Sequence, residues 1–343
     1  MRVESRILDE REYEAWDRFV VACPTASLYA TTQYLEVLAK SVDGRFRIMA
    51  LTRNDRFVGG IALFERPTRW GQVLQPRLLL QYNGFVLGAS DSKYPSQQTS
   101  MTIGLTNQLA EFLEEQHYAS TVIKCRWPFT DARAFLERGW QAIPSYTYIM
   151  PLSDLERQWD LVDRNIKRLI RRCDKDGLSV TMDDDFDSFY RMHRETHDRK
   201  GAPIYLPEQI FAEYFYDLHR AGIARLYHAR LPDGMSIAGQ LVLAGDHPVC
   251  ETVSACADGK YLSTGGNAFL RWKAFESLAA DGYTHNDLTD ANLNSVTRFK
   301  SQFGGDLRLC FVLAYPSTWR YRWGTRLETF SRTLLRRQRR QFG

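Results

Sequence analysis

The chain has 343 residues, a length that favours two domains over one. Hydrophobic residues make up 44% and charged residues 25%, which is ordinary for a globular protein and excludes a disordered or fibrous chain. The net charge of +4 is too small to indicate a dedicated nucleic-acid-binding protein. Basic residues are nevertheless concentrated at 164–175 and 332–340, where they could meet an anionic partner.

The cysteines and the first residues of the chain indicate the cellular compartment in which the protein is expected. None of the six cysteines lies in a CxxC pair, so their spacing favours buried free thiols over a zinc site or a disulfide scaffold. The first twelve residues lack the apolar stretch of a signal peptide, and no stretch reaches the roughly 18 apolar residues of a membrane helix. The sequence therefore predicts a soluble, cytoplasmic protein, with a peripheral membrane contact left open.

The first 150 residues predict a strand, two helices and three strands, followed by a helix, a strand, a helix and a strand. Thr31 or Thr32 is a suitable N-cap for the second helix, and Arg53-Asn54-Asp55 has the length and polarity of a hairpin turn. The periodicity places strands at 2–8, 46–52, 56–64, 78–87, 120–125 and 146–150, and helices at 13–21, 31–40, 97–117 and 131–138.

The same order of elements recurs after residue 150, without a repeat of the residues themselves. It matches the acetyltransferase fold known as the GNAT fold. We therefore predict an α/β (α+β) protein of two tandem GNAT-like domains, 1–150 and 151–316, each with a mixed, mainly antiparallel sheet flanked by helices, and a basic amphipathic helix at 317–343. The second half is predicted to contain helices at 154–175, 186–200, 207–221, 263–280 and 295–302, and strands at 178–182, 223–230, 236–244, 248–255, 283–288 and 306–315.

Five stretches carry a resemblance to a known family, the first of them the opening segment at 16–29. Phe299-Lys300-Ser301-Gln302-Phe303-Gly304 resembles the F-K-x-x-F-G signature of the FemAB-type transferases. The glycine-led helix at 265–272, the acidic strand end Asn286-Asp287-Leu288 and the basic helix at 164–168 resemble further family segments in the family's order. The resemblance spans about residues 10–315 and implies transfer of an acyl or aminoacyl group onto an amine. In the better-known members the donor is aminoacyl-tRNA and the acceptor is a peptidoglycan precursor.

Two features separate this chain from those members. Only a helix–loop–helix lies between Leu178 and Ile223, where some members carry a long helical arm. The family lysine that meets the precursor's phosphates falls near Leu38, with Lys40 out of phase on the helix. The chain is more similar to the Gram-negative, acetyltransferase-like branch of the family, which includes BioF2-like domains.

Acyl transfer to an amine sets two requirements on a site. Positive charge or N–H donors must stabilise the tetrahedral oxyanion, and a group must take a proton from the attacking ammonium. Through the family motif, Lys300 is predicted to supply the charge, the alternative being a surface lysine. Asp287, at a strand end, is predicted to orient or deprotonate the amine, the alternative being a loop hydrogen bond.

Glycines before a helix and a basic helix are the candidate binding elements. Gly265, Gly266 and Asn267 could present backbone N–H groups to a donor's phosphate, although a plain tight turn is the alternative. The basic helix favours phosphate binding, the alternative being a solvated face. No metal site is predicted, because the pair of histidines at 193 and 197 lacks the glutamate of an HExxH motif. The predicted substrate-binding residues are Asn165, Arg168, Arg171, Arg271 and Arg298.

The sequence leaves three functions open. The first is an acyl- or aminoacyltransferase acting on a cell-envelope precursor or polysaccharide, and the second an acyl-CoA-dependent N-acetyltransferase acting on an amino sugar. The third is a non-catalytic protein that binds a lipid-linked glycan. No tightly bound cofactor is predicted; the donor co-substrate would be acyl-CoA or aminoacyl-tRNA. Predicted partners are a small-molecule or lipid-linked glycan acceptor, tRNA, and an anionic membrane met by the C-terminal basic helix.

Overall fold

The structure, a computed structural model, describes residues 3–204 and 206–326. The strands in this part of the chain are β1 (Glu4–Ile7), β2 (Arg45–Arg53), β3 (Arg56–Thr68), β4 (Gly71–Leu74), β5 (Phe85–Leu87), β6 (Ser120–Lys124), β7 (Gln141–Pro151), β8 (Ser179–Asp183), β9 (Ala224–Arg230), β10 (Ser236–Leu243), β11 (Val249–Ala257), β12 (His285–Asp287) and β13 (Asp306–Tyr315).

The helices flank these strands. Many begin at a polar cap, as in the second helix, where the Thr31 side chain accepts a hydrogen bond from the N–H of Tyr34, as predicted. They are α1 (Tyr13–Ala22), α2 (Thr32–Ser41), α3 (Pro95–Glu115), α4 (Arg133–Glu137), α5 (Leu155–Leu161), α6 (Arg164–Lys175), α7 (Phe186–Lys200), α8 (Glu208–Arg220), α9 (Gly266–Ala280) and α10 (Ser295–Ser301).

The described strands form one sheet in the order β1-β2-β3-β4-β6-β13-β7-β12-β11-β10-β9-β8, with β5 paired to β3. Most neighbours are antiparallel; β4 with β6 and β11 with β12 are parallel. The last strand, β13, lies between β6 and β7, and β7 pairs on its other side with β12. Each half thus contributes a strand to the other half's part of the sheet, so the two halves share a continuous hydrogen-bonded sheet.

Three apolar clusters pack against this sheet. One lies in the first half under α3, and a second lies in the second half between the sheet, α6 and α9. The third cluster joins the halves, because Tyr34 and Leu35 of α2 belong to the same buried group as Phe211 and Tyr214 of α8. After β4, residues 75–84 leave the sheet, and we call this segment the 75–84 excursion. The shared core positions it against the second half of the chain.

The predicted α/β fold, with a mixed, mainly antiparallel sheet flanked by helices, is confirmed, but several elements differ. The strand predicted at 78–87 is wrong: after β4 the chain leaves the sheet at residues 75–84 and returns only at β5. Leu80 and Tyr82 of this run are buried in the apolar cluster that joins the two halves, Leu78 is exposed, and only Phe85–Leu87 pair in the sheet, with β3. The helix predicted at 154–175 is two helices, because the Asp163 side chain caps the N-terminus of α6. The helix predicted at 263–280 begins at Gly266, after a 3-10 turn at Gly259–Thr264.

The domain limits 1–150 and 151–316 stay a prediction. After β13 the chain is helical again over residues 319–326, within the basic helix predicted at 317–343. Residues 327–343, with the arginine-rich stretch 332–340, lie outside the described residues. Among the described helices, none is long and apolar enough to span a membrane.

Candidate functional site

A cavity of about 400 Å³ lies where the parallel strands β11 and β12 separate. The two strands pair from Val249–His285 to Glu251–Asp287, after which β12 ends while β11 continues to Ala257. Val253 and Ser254 of β11 and the residues after β12, Thr289 and Asp290, line this cavity. The β12-facing edge of β11 is therefore available there to a bound molecule.

The 75–84 excursion from the first half closes this cavity. Gln81 Nε2 donates to Asp290 Oδ1 at 2.8 Å, and the Tyr82 hydroxyl donates to Asp287 Oδ2 at 2.8 Å. The carbonyl of Leu79 accepts a hydrogen bond from the Tyr34 hydroxyl. The cavity wall thus comes from both halves of the chain, and neither half alone would form it.

A β-bulge lies on the cavity wall. Leu241 of β10 faces Ser254 of β11, and the next residue, Val242, faces Thr252, so Val253 has no partner on β10. A bulge leaves its extra residue outside the ladder and re-aims the neighbouring side chains. Val253 and Ser254 both line the cavity, and a backbone N–H freed at this position can donate to an oxyanion formed there.

Asp287 is fully buried at the end of β12 and accepts three hydrogen bonds. The donors are the hydroxyls of Tyr82 and Thr147 and the backbone N–H of Thr289. Burial raises the pKa of this carboxyl, while these donors favour its charged form. Asp287 is thus held by groups from both halves of the chain.

Glu251 is the register partner of Asp287 on β11 and is also fully buried. Neither of its carboxylate oxygens has a hydrogen-bond partner among the described residues. Burial, and next the nearby charge of Asp287, raise the pKa of Glu251 well above its usual range. We therefore assign the proton to Glu251 and the negative charge to Asp287, because two buried carboxylates this close do not both ionise.

Lys300 is 9% exposed and lies behind the cavity wall. Its Nζ donates to the main-chain oxygens of Thr289 and, at 2.8 Å, of Asp290. Both residues have positive φ, +50° and +40°, a conformation that is strained for a β-branched residue such as Thr289. Burial, and next the charge of Arg271, lower the pKa of Lys300 to about 8. Lys300 therefore holds a strained turn whose residues line the cavity.

Arg271 on α9 is buried without an anionic partner. Its Nε and Nη1 have no acceptor among the described residues, and its guanidinium lies over the rings of Phe299 and Phe303, at 5.8 and 6.0 Å from their centroids. Burial lowers the pKa of Arg271 to about 10. Buried charges are normally paired, so this arrangement suits a site that is completed by an anion from outside the chain.

The predicted donor-binding glycines lie beside the basic helix. Gly265 has φ +91°, and a Cβ there would lie 2.8 Å from Cβ of Leu169 on α6. Arg172 on α6 donates to the carbonyls of Ser263 and Thr264, just before these glycines. The N–H of Gly266 already donates to the Thr264 hydroxyl at 3.1 Å, and the Asn267 side chain is half-buried. The glycines therefore serve helix packing, and the turn retains only part of its N–H donors for a phosphate.

The structure places the predicted residues in two groups. Lys300, Asp287 and Arg271 lie close together, since the charge of Asp287 raises the pKa of Lys300 and the charge of Arg271 lowers it. The other predicted substrate-binding residues are exposed and outside the lining of this cavity; Arg171 instead lies over the Trp159 ring at 5.7 Å. The exposed residues are Asn165, Arg168, Arg171 and Arg298.

Four residues near the site were not predicted from the sequence: Glu251, Tyr82, Thr147 and Lys124. Lys124 Nζ donates a hydrogen bond to Asp290 Oδ1 at 2.6 Å. A single glutamate inside the apolar strand Pro248–Ala255 was the available signal for Glu251. The other three belong to the first half of the chain, and nothing in the sequence pattern connects them to Asp287.

One group of described side chains has the composition of a metal site. Ligand atoms of Asp183, Asp185 and His228 lie within 4.8 Å of one another. Arg230 Nη2 donates to both carboxylates, at 3.0 and 2.9 Å. The carboxylates are thus already neutralised by a guanidinium, and the cluster is accounted for as an ion-pair network of β8 and β9.

Comparison with known proteins confirms the predicted tandem GNAT-like fold. Residues 162–301 match the family profile described as acetyltransferase (GNAT) domain. Similar solved structures include FemX, with 14% identity over 90% of this chain and 96% of that chain and a TM-score of 0.71. They also include L-PGS from Bacillus licheniformis (12% identity, 90% and 92% coverage, TM-score 0.55) and a tandem GNAT protein from the clavulanic acid biosynthesis pathway (11% identity, 92% and 100% coverage, TM-score 0.52). A search of curated proteins gives no match.

Proposed function

We propose that this chain, an acyltransferase of the FemAB-like GNAT type, moves an acyl or aminoacyl group from an activated donor to an amine. The observation that carries the proposal is the cavity at the separation of β11 and β12, with a bulge on one wall and the buried pair Glu251 and Asp287 beside it. This arrangement offers an oxyanion donor and proton-accepting groups in one place.

In this proposal the acceptor amine enters the cavity as an ammonium and gives a proton to the carboxyl pair, through Asp287. Its nitrogen then attacks the carbonyl carbon of the donor ester or thioester, and the oxyanion forms near the bulge at Val253. When the carbonyl re-forms, the bond to the donor's sulfur or oxygen breaks, and that leaving group takes the second proton that the attacking nitrogen gives up in forming the amide. Lys300 acts as a positioning residue, because it holds Thr289 and Asp290 in the cavity wall.

The donor is expected to be acyl-CoA, which the GNAT fold uses in general. Aminoacyl-tRNA remains the alternative donor, supported by the likeness to FemX and by the exposed basic residues Arg168 and Arg171. Gly265, Gly266, Asn267 and the neighbouring Arg172 are proposed to meet the donor's phosphates. The unpaired Arg271 is proposed to bind an anionic group of the substrate, and Arg298 to assist at the surface.

We propose a small-molecule or lipid-linked glycan as the acceptor, with a role in cell-wall, peptidoglycan or polysaccharide biosynthesis in the cytoplasm. The ammonium group of an amino sugar could give its proton to the buried carboxyl pair and then act as the acceptor amine. An acyl-CoA-dependent N-acetyltransferase of amino sugars is therefore the specific form of the proposal that is tested first.

The test combines binding with product formation. Purified protein is titrated calorimetrically with acetyl-CoA and, separately, with aminoacyl-tRNA at a stated salt concentration. Ser254→Phe, which fills the cavity, is compared with Ser100→Phe on the exposed face of α3. Products on a panel of amino sugars and lipid-linked glycans are detected by mass spectrometry.

Binding of acetyl-CoA that is lost in Ser254→Phe and kept in Ser100→Phe would support an acyl-CoA donor. Binding of charged tRNA alone would identify the aminoacyl donor. If both donors bind equally well to Ser254→Phe, or if neither binds the wild type, the cavity is not the transfer site and the proposal fails. Thermal unfolding of each variant checks that the loss reflects the cavity and not the fold.

A further inference from the structure

The helix at 319–326 presents two exposed tryptophans on one side. Trp319 is 63% exposed and Trp323 62% exposed, and residues four apart lie on the same face of a helix. Large exposed apolar side chains on neighbouring positions are unusual for a surface that faces only water, and they indicate an interaction site. Tryptophan is also a side chain that is enriched at the interface between a membrane and water.

The opposite side of the helix packs against the first half of the chain. Gly324 is buried against Trp70, whose ring atoms would lie 2.1 Å from an added Cβ. The Tyr321 hydroxyl accepts a hydrogen bond from Gln75 Nε2 at 3.2 Å, and the N–H of Thr318 donates to the carbonyl of Ala119 at 3.0 Å. The orientation of the helix, and hence of its tryptophans, is therefore set by contacts with the first half of the chain.

The exposed face is also positively charged. The helix contains Arg320, Arg322 and Arg326 and no acidic residue, and all three arginines are exposed. Within residues 3–204 and 206–326, none of the three pairs with a carboxylate. On a helix, Arg322 and Arg326 flank the side that carries Trp319 and Trp323. Apolar rings bordered by unpaired cations are complementary to an interface of acyl chains and anionic headgroups.

We propose that this helix, with Trp319 and Trp323 inserted and its arginines on the headgroups, is a docking surface for an anionic lipid bilayer. Gln75, which holds Tyr321, is also the first residue of the 75–84 excursion that walls the cavity. Docking would therefore bring the excursion towards the lipid surface. Taken together with the proposed function, on which this last point rests, the acceptor would be drawn from the bilayer.

The test is co-sedimentation of the full chain with vesicles of phosphatidylcholine, alone or mixed with phosphatidylglycerol. We expect binding to the anionic vesicles only, weakened by added salt. Arg320→Gln/Arg322→Gln/Arg326→Gln should lower the partition coefficient on the order of 10²-fold, and Trp319→Ala/Trp323→Ala should lower it by at least about tenfold. The matched control is Tyr94→Ala, a 53% exposed aromatic residue at the other end of α3 from Ala119, which should bind as the wild type does.

Residues 327–343 are present in every variant, so the comparison isolates the described helix. If the tryptophan pair can be removed without loss of binding, or if the wild type does not sediment with anionic vesicles, the docking surface is not this helix. Acetyl-CoA binding measured without vesicles reports the proposed function separately, and it should be unchanged in these variants. If the wild type binds no donor, the proposed function is wrong, but the vesicle result still holds.

Discussion

Glu251 and Asp287 face each other on neighbouring parallel strands, and both carboxyl groups are fully buried. Asp287 accepts three hydrogen bonds, whereas the oxygens of Glu251 have no partner in the described part of the chain. The two groups have the same chemistry and different surroundings, so they hold their protons differently. This difference makes the pair suited to accept a proton from an ammonium.

The first prediction concerns the pH dependence of stability. Because the folded state raises the pKa of Glu251, the folded protein holds this proton more tightly than the unfolded chain. Above about pH 4.3 the unfolded chain releases the proton first, so the free energy of unfolding falls as pH rises through this range. Glu251→Gln should make this fall smaller, leaving the part that comes from the raised pKa of Asp287, and urea unfolding at a series of pH values measures the difference.

Glu114→Gln provides the control of opposite sign. A hydrogen bond from Arg138 lowers the pKa of Glu114, so its contribution to stability is present above the unfolded pKa and is lost as pH falls. If Glu251→Gln has the same pH slope as the wild type above about pH 4.3, the assignment of the proton to Glu251 is wrong.

The second prediction concerns Arg271, whose buried Nε and Nη1 have no acceptor in the described part of the chain. Arg271→Met should raise the free energy of unfolding by on the order of 1 kcal/mol, because an uncompensated buried charge is replaced by an apolar chain of similar size. The same change should weaken binding of an anionic substrate. Thermal unfolding and substrate titration check the two effects. A variant that is both less stable and equally tight in binding would show that Arg271 is a structural residue.

The third prediction concerns Gly304 of the F-K-x-x-F-G segment. It has φ +79°, and a Cβ there would lie 2.7 Å from Cβ of Leu161 and 3.1 Å from that residue's carbonyl carbon. Gly304→Ala should therefore cost about 2 kcal/mol or more in stability. Gly139→Ala, with φ +81° and open space around it, should cost only about 1 kcal/mol. Equal losses at the two positions would rule out the contact with Leu161 as the reason for the glycine.

The fourth prediction concerns Lys300 and the pH dependence of transfer. The pKa of Lys300 is lowered to about 8, so its charge is present below this pH and is lost above it. Lys300→Met should lower kcat/KM by roughly 10²-fold, since the turn at 289–290 loses its charged donor. Lys300→Arg should retain part of the activity and should remove the decline of kcat/KM near pH 8. A pH profile that is unchanged in Lys300→Arg would assign that decline to another group.

Sequence reasoning succeeded where a residue's role depends on its neighbours along the chain. The N-cap at Thr31 and the strand β13 were predicted at or near their observed positions, because local hydrogen bonds and hydrophobic periodicity set them. The long helix predicted at 154–175 failed at one capping residue, Asp163, which a periodicity window does not resolve. The strand predicted at 78–87 failed because an apolar run shows that residues are buried, but not against which partner.

The candidate site shows the same division. The family resemblance selected Lys300 and Asp287 by local motif, and the structure brings both to the turn at Thr289 and Asp290 that lines the cavity, although their catalytic roles stay a prediction. Asn165, Arg168 and Arg298 were selected for charge or motif, and the structure places them on the surface. Charge along a helix shows what a residue could bind, whereas only the packed fold shows which cavity it can reach.

The sequence by itself determined most of the order of the strands and helices and the tandem GNAT-like fold. These follow from periodicity and from motifs, which are properties of neighbouring residues. Only the tertiary structure decided that β13 lies between β6 and β7, that Tyr82 and Thr147 hold Asp287, and that Glu251 lies beside it with no hydrogen-bond partner among the described residues. Those relationships join residues that are tens to hundreds of positions apart, and they arise when apolar surfaces of the two halves are buried against each other.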